Sequence, residues 1–555
     1  MDSTTPKPLP ESLTSHKDKD KDKANPVVED SRSGISTVVG PADDRHTGID
    51  EPGDQDIEML RDVSKGKKPD PFEVRMGPND VDNPKSWSKP YRWYVTALSA
   101  LLLLNATFAS SAPTGLMPMI EEHFGFSREV GALVISLFVA GYCIGPLVFG
   151  PLSETIGRKS VFVFTFIIYT GFQVGSALAQ NTAQVLVFRF LGGTFASAPL
   201  ANSGAVISDM WDADVRGKAL AFFTIAPFAG PTLGPVCSGF MANAGVSWRW
   251  IFWLLTCFAG ALLVVTIFTL PETYVPVLLV RRAKKLREET GDSRYWAPLE
   301  RKVGTRLHRL RNILARPFLI LIFEPMLIAI TLYMSFIYGC IYLLFEAYPI
   351  IFGRIHNFTP GFVGLSFLPI FIGAAMGVVL YLVVSNPRYE RKVRQFAPHP
   401  VPPEYRLEIC MVASPLFAVS FFWIGWTASP TVSFWAPMLA GLPLGASIIF
   451  LFLGLFNYTI DAYLAMAASA LSAMTVVRSM FGAGFPLFAT QMYETLNPHW
   501  ASTLLGFIAV ALAPIPFVLR AYGHRLRQMS RFSPTGKLPI KPPSDEEKRV
   551  LGVQP

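Results

Sequence analysis

The chain holds 555 residues, 51% of them hydrophobic and only 16% charged, with a formal net charge of +8 and a mean hydropathy of +0.35. A soluble domain carries roughly a quarter charged residues, so this composition excludes an ordinary soluble enzyme and indicates a membrane protein. Residues 1–90 carry 14 basic and 19 acidic side chains and the other 465 carry 35 and 22; the positive excess therefore lies beside apolar stretches, where Lys and Arg set topology, and no basic stripe interleaved with aromatics suggests nucleic acid.

The N-terminus, "MDSTTPKPLPESLTSHKDKDKDKANP", is polar and has no apolar core of a signal peptide. It reads as a disordered cytoplasmic tail over residues 1–90. Apolar runs of about twenty residues, the length that crosses a bilayer, then occur near 94–114, 131–151, 160–179, 185–207, 219–242 and 250–270. A second six lie near 318–344, 362–384, 409–428, 434–457, 463–491 and 502–522. The expected organisation is a six-helix bundle over 91–270, a basic cytoplasmic loop over 271–316, a second bundle over 317–522 and a cytoplasmic tail over 523–555. The fold class is an all-α polytopic membrane protein whose bundles are related by a pseudo-twofold axis. With the N-terminus inside, the inner loops hold 21 Lys/Arg and the outer loops 3, which places both termini in the cytoplasm.

In span one, Asn105 of "LLLLNATFAS" is an isolated amide able to bond a ligand. The hairpin after span two reads "GPLSETIGRK". Gly150 and Gly157 permit a tight connection, and Glu154 faces a basic pair, Arg158 and Lys159. That acid and base form either a latch that pairs in one conformation or a plain cytoplasmic anchor. Arg189 stands near the start of the otherwise apolar span four, in "RFLGG" (189–193). A charge at mid-bilayer costs at least about 2.5 kcal/mol. Either it faces the bundle interior beside small residues and takes part in proton coupling, or it snorkels to the interface.

Span five reads "IAPFAGPTLGPVCSG". Ala226, Gly230 and Gly234 recur every four residues and make a smooth packing face, while Pro227, Pro231 and Pro235 predict a bend. The basic segment "RRAKKLREETGDSRYWAPLERK" is expected to lie as short amphipathic helices on the inner leaflet. Glu324 of "LIFEPML" is flanked by apolar residues on both sides, which makes it a proton-carrier candidate or a partner for Arg478 of "TVVRSMF". Asp461, Glu154 and Asp209 are the other acidic candidates. Span seven carries Tyr333, Tyr338 and Tyr342, aromatic faces with polar tips suited to an amphipathic molecule.

The five cysteines lie far apart in apolar stretches, and no metal-ligand cluster or phosphate-binding GxxxxGK[ST] loop occurs. No cofactor, metal or catalytic residue is expected, and the chain reads as no enzyme.

These motifs resemble the major facilitator superfamily. Gly150, Leu152, Gly157, Arg158 and Lys159 match its loop motif G-x-L-x-D-R-x-G-R-[RK], with Glu154 in place of the aspartate and Thr155 in place of the first arginine. Ala226, Gly230, Pro231, Gly234 and Pro235 are similar to its antiporter motif G-x-x-x-G-P-x-x-G-[GP], and "RFLGG" to its span-four motif. Together with "SWRWIFW", "LPETY" and "DAYLAMAASALSAMTVVRSMFGAGFPLF", they resemble the fungal twelve-span drug:proton antiporter group, whose members include multidrug and polyamine exporters. The resemblance implies a monomeric plasma-membrane efflux transporter, or one of the vacuolar membrane, that exchanges protons for a small amphipathic organic molecule. It implies a cavity between the bundles, for which Asn105, Tyr333, Tyr338, Tyr342 and Arg478 are the candidates, with Arg189, Glu324 and Asp461 for proton coupling. The alternatives are an organic-cation or polyamine exporter on the same fold, and a non-transporting membrane sensor.

Overall fold

The computed structural model describes residues 70–77, 80–211, 213–301, 306–396, 399–530 and 532–533. The expected tail up to residue 69, the end of the C-terminal tail beyond residue 533 and the side chain of Arg216 lie outside them.

Apolar runs of this length satisfy their backbone only as helices inside a bilayer. Among the described residues, eleven helical runs are long and apolar enough to cross one. They are α1 (Lys89–Phe124), α2 (Arg128–Ile156), α3 (Arg158–Ala177), α4 (Thr182–Met210), α5 (Gly217–Asn243), α6 (Arg249–Thr269), α7 (Pro325–Ile355), α8 (Pro360–Phe396), α9 (Pro403–Thr427) and α10 (Trp435–Tyr463). The last run, Ala467–Met529, is twice the usual length. It breaks at Asn497, whose φ of 61° and following Pro498 interrupt the helix, so it supplies two crossings, α11 (467–496) and α12 (498–529). Large apolar side chains such as Phe268, Val383 and Val412 stand exposed on the outer faces of these helices, where lipid covers them.

The helix pairing repeats. In the first six, α1 packs on α5, α2 on α4 and α3 on α6; in the second six, α7 packs on α11, α8 on α10 and α9 on α12. Small residues permit the close approach: a Cβ on Gly193 of α4 would enter the backbone of α2 at Phe138, and one on Gly445 of α10 would enter that of α8 at Ile370. The repeat gives two six-helix bundles of like topology. They meet along two seams, α2 against α11 and α5 against α8.

Three expectations change. The seventh crossing does not begin at residue 318: Glu324 has φ −110° and ψ 93°, and α7 starts at Pro325, because a residue before proline is pushed out of the helical region. Residues 318–323 instead end the preceding helix, Arg306–Phe323. The break in the fifth crossing comes at Thr224–Ile225, ahead of Pro227, and Ala226–Asn243 then runs on as one helix through Pro231 and Pro235. Finally, the N-terminal segment does not remain free up to residue 90. Phe72 and Val74 pair with Trp296 through backbone hydrogen bonds of 3.0 and 2.9 Å, and Val74 packs on Ala283 and Ala297 of the central loop.

Candidate functional site

The tight corner between α2 and α3 is built around Arg158. Its backbone N–H donates to Glu272 Oε1 at 2.8 Å, and its guanidinium donates to Ser153 and lies 3.5 Å from Asp209 Oδ2 at the end of α4. Glu272 also accepts the N–H groups of Thr273 and Tyr274, both at 3.1 Å. Gly157 has φ 100°, and a Cβ there would strike the Glu272 carboxylate, so only glycine fits. Glu154, expected as the partner of this arginine, is exposed and makes no ion pair among the described residues; Asp209 and Glu272 take that place. Lys159 is half-buried, and Gly150 faces open space.

The second bundle closes the equivalent corner in the same way. Arg406, at the start of α9, donates through Nε to Asp461 at the end of α10 at 2.8 Å, and Tyr389 adds its hydroxyl at 3.3 Å. Asp461 is thus the counterpart of Asp209. Beside it, Arg527 and Glu404 form a buried two-pronged pair with both N···O distances 2.9 Å, a tie that the sequence pattern did not reveal.

Arg189 does not snorkel. Its side chain is 1% exposed. Nε donates to Val134 O at 2.8 Å, Nη1 to Ala109 O at 2.8 Å and Nη2 to Ser110 O at 3.1 Å, while the guanidinium lies 4.1 Å from the Phe138 ring centre. The planar fork of arginine suits three carbonyls on two helices, so α1, α2 and α4 are tied at one point.

From Ser110 a chain of hydroxyls crosses between the bundles. Ser110 Oγ lies 3.0 Å from Tyr342 OH of α7, which lies 3.4 Å from Tyr338 OH. The guanidinium of Arg478 on α11 stacks over Tyr338 at 4.7 Å. Phe228 of α5 meets Phe452 of α10 edge-on at 5.3 Å. Asn105 on α1 is fully buried, and both its amide atoms lack partners among the described residues. Tyr333, grouped with the other two tyrosines by sequence, instead turns toward Ser414 and Cys410 of α9. Gly230 and Gly234 pack on Thr107 and Ser111 of α1, the Ala226 carbonyl accepts from Thr107 at 3.4 Å, and the Pro235 carbonyl lies against Gly364 of α8. The motif of span five therefore lines the seam among α1, α5 and α8.

Glu324 is buried, but at the beginning of α7. It accepts from Tyr463 OH at 3.2 Å, Ser530 Oγ at 2.8 Å and Phe532 N at 3.3 Å, so it fastens the residues after α12. Arg478 is not its partner. One turn beyond Tyr342 on α7 stands a further acid, Glu346, which accepts from Thr490 Oγ1 of α11 at 3.1 Å. The aromatic pattern of span seven had masked it. At the same end, Glu494 accepts from Arg128 of the first bundle at 3.2 Å and from Arg354 of the second at 2.6 Å. Asn243 bridges to Thr359 Oγ1 and Gly361 N at 3.1 and 3.3 Å. The bundles are thus closed onto each other at the Arg128 end.

The family model described as Major Facilitator Superfamily matches residues 99–486. The chain is 42% identical over 474 residues to the major facilitator superfamily multidrug transporter mdrA of Aspergillus fumigatus, covering 84% of this chain and 77% of that one. It is 39% identical to the citrinin biosynthesis cluster MFS transporter mrr1 of Monascus ruber, covering 86% and 96%, and 38% identical to the efflux pump FUBT of Fusarium oxysporum, covering 83% and 78%. Among solved structures, the proton:xylose symporter XylE superposes with a TM-score of 0.56 at 16% identity, covering 79% of this chain and 96% of that one.

Proposed function

The chain belongs to the major facilitator superfamily and is a multi-pass membrane transporter, not an enzyme; from that premise we propose that it exports a small amphipathic organic molecule in exchange for protons. The observation that carries the reading is the likeness over more than four-fifths of the chain to relatives named as multidrug transporters and efflux pumps. The loop-charge asymmetry supports a cytoplasmic Arg158 end, with both termini inside and the Arg128 end facing out. A plasma-membrane location goes with export from the cell.

In that orientation the described conformation is closed outside. Outward release then requires α5 to part from α8 and Arg128 to leave Glu494, while the cytoplasmic ends close. Glu346 is the candidate for the proton carrier in this reading. It sits where the outer seam meets the hydroxyl chain, bonded to Thr490 of α11, with Glu121 of the α1 run and Arg128 of α2 as the charged groups acting on it. Asp461 and Glu324, two of the earlier candidates, hold a helix corner and the end of α12. Arg189 keeps α1, and hence Ser110, in register with Tyr342. One proton crossing about 100 mV supplies roughly 2.3 kcal/mol, which sustains roughly a fifty-fold concentration ratio.

The test is expression in transporter-depleted yeast, with efflux followed for rhodamine 6G, Nile red and carboxyfluorescein loaded as its diacetate. Efflux of at least one dye that stops with a protonophore is expected. Accumulation equal to that of empty-vector cells for all three dyes overturns the reading.

A further inference from the structure

Arg189 and Arg478 both stand inside apolar helices, and the protein treats them differently. Arg189 spends its donors on three backbone carbonyls. Arg478 makes no hydrogen bond or ion pair among the described residues, and its buried Nε is without a partner. What surrounds it is a partial aromatic cage: its guanidinium carbon lies 4.7 Å from the ring centre of Tyr338, 5.6 Å from that of Phe452 and 5.7 Å from that of Phe456.

The cage sits where the bundles meet. Gly482, one turn from Arg478, abuts both Tyr338 of α7 and Val139 of α2. Phe452 carries Phe228 of α5 on its edge, so helices of both bundles contribute to the surroundings. Stacking on rings offsets part of the cost of desolvating a guanidinium but uses none of its N–H donors. A buried donor left without an acceptor is a standing penalty. A helix in contact with lipid has no reason to hold such a group at this place unless something else supplies the acceptor.

We infer that Arg478 is the anion-binding group of the transport site, and that the exported molecule is an amphipathic organic anion, a carboxylate or sulfonate on a flat apolar body. The inference rests on the exporter reading above and narrows its substrate class. The anionic head accepts two parallel N–H bonds from the planar fork. The apolar body lies along Phe452 and Phe456, and the linked hydroxyls of Tyr338, Tyr342 and Ser110 stand within one side chain of the head. An organic cation at the same place meets the like charge of Arg478, and no acid pairs with that arginine among the described residues to cancel it. A polyamine substrate is therefore disfavoured.

The test compares three naphthalene probes of one ring size on the purified full-length chain in phosphatidylcholine nanodiscs. These are 2-naphthalenesulfonate, its neutral isostere 2-naphthalenesulfonamide, and 2-naphthyltrimethylammonium. The sulfonate is expected to bind at least about tenfold tighter than either of the others, as a charge-assisted two-pronged contact does. Arg478→Gln is expected to bring sulfonate and sulfonamide to the same affinity. Arg478→Lys, which keeps the charge without the fork and serves if the Gln variant does not insert, is expected to weaken the sulfonate alone. A wild type that binds the sulfonate no better than the sulfonamide or the ammonium overturns the inference. So does a sulfonate affinity unchanged in either variant. Because binding is read without flux, a chain that prefers the sulfonate yet moves nothing faults the exporter reading and leaves the site standing.

Discussion

The hydroxyl of Tyr342 lies 3.0 Å from that of Ser110, across the junction of the two bundles, and the carbonyl of the same Ser110 accepts a bond from Arg189. One residue of α1 thus joins the charge buried in the first bundle to the tyrosine pair of the second.

Arg189 is therefore a tie as much as a charge. Arg189→Ala removes three charge-assisted bonds to carbonyls of α1 and α2 in the interior, at a cost on the order of 3 kcal/mol after relaxation. The variant is expected to melt at a lower temperature in detergent and to lose transport. Arg189→Lys reaches fewer of the carbonyls and falls between. Thermal melting of purified protein checks this, and an Ala variant that melts with the wild type shows that the three bonds hold nothing.

The Arg128 end closes by backbone contact. A side chain at Gly364 enters the carbonyl of Pro235, so Gly364→Val forces α5 and α8 apart. Asn243→Cys with Thr359→Cys, whose present side chains touch at 3.1 Å, is expected to cross-link readily under mild oxidation. The yield should fall several-fold when Gly364→Val is added. An unchanged yield means that the seam is not set by this glycine.

Charge pairs hold the N-terminal segment to the central loop, and they respond to pH with a definite sign. The Arg282 guanidinium keeps the Asp80 carboxyl below its usual range, and hydrogen bonds from the Phe72 N–H and the Trp296 indole, with the Arg301 guanidinium beside them, do the same for Asp70. A depressed carboxylate contributes stability that is present above its unfolded value, about 3.9 for Asp, and lost as pH falls through the folded value. Peptides from residues 70–88 are expected to be slow in hydrogen exchange at pH 7 and to speed up, after correction for intrinsic rates, below about pH 4. Arg282→Ala should loosen them at pH 7. Equal corrected rates at both pH values exclude the pairs as the fastening.

The crossings were legible in the sequence because lipid demands long apolar runs, and the repeat was legible because the runs fall into two sets of six around a polar connector. What escaped are features that depend on distant residues. Arg158 was plainly placed, but its acids come from the ends of α4 and α6 and not from neighbouring Glu154. Arg189 was read as either facing the interior or snorkelling to the interface, and nothing local announced that carbonyls of α1 and α2 would receive it. The start of α7 was within reach of a local rule, since Glu324 precedes Pro325; hydropathy alone overrode it and put Glu324 inside a span. Glu346 hid for the opposite reason, as one acid near the end of an aromatic stripe.

Exchange of protons for substrate is tested most directly in vesicles holding the purified chain and loaded with labelled 2-naphthalenesulfonate, with labelled rhodamine 6G in a parallel set. Release is followed after the exterior is made acidic and, for comparison, at equal pH. The expected result is release of at least one probe that quickens several-fold with the acid exterior and loses this gradient dependence in Glu346→Gln. Release by the wild type at the same rate with and without the gradient contradicts proton-coupled export.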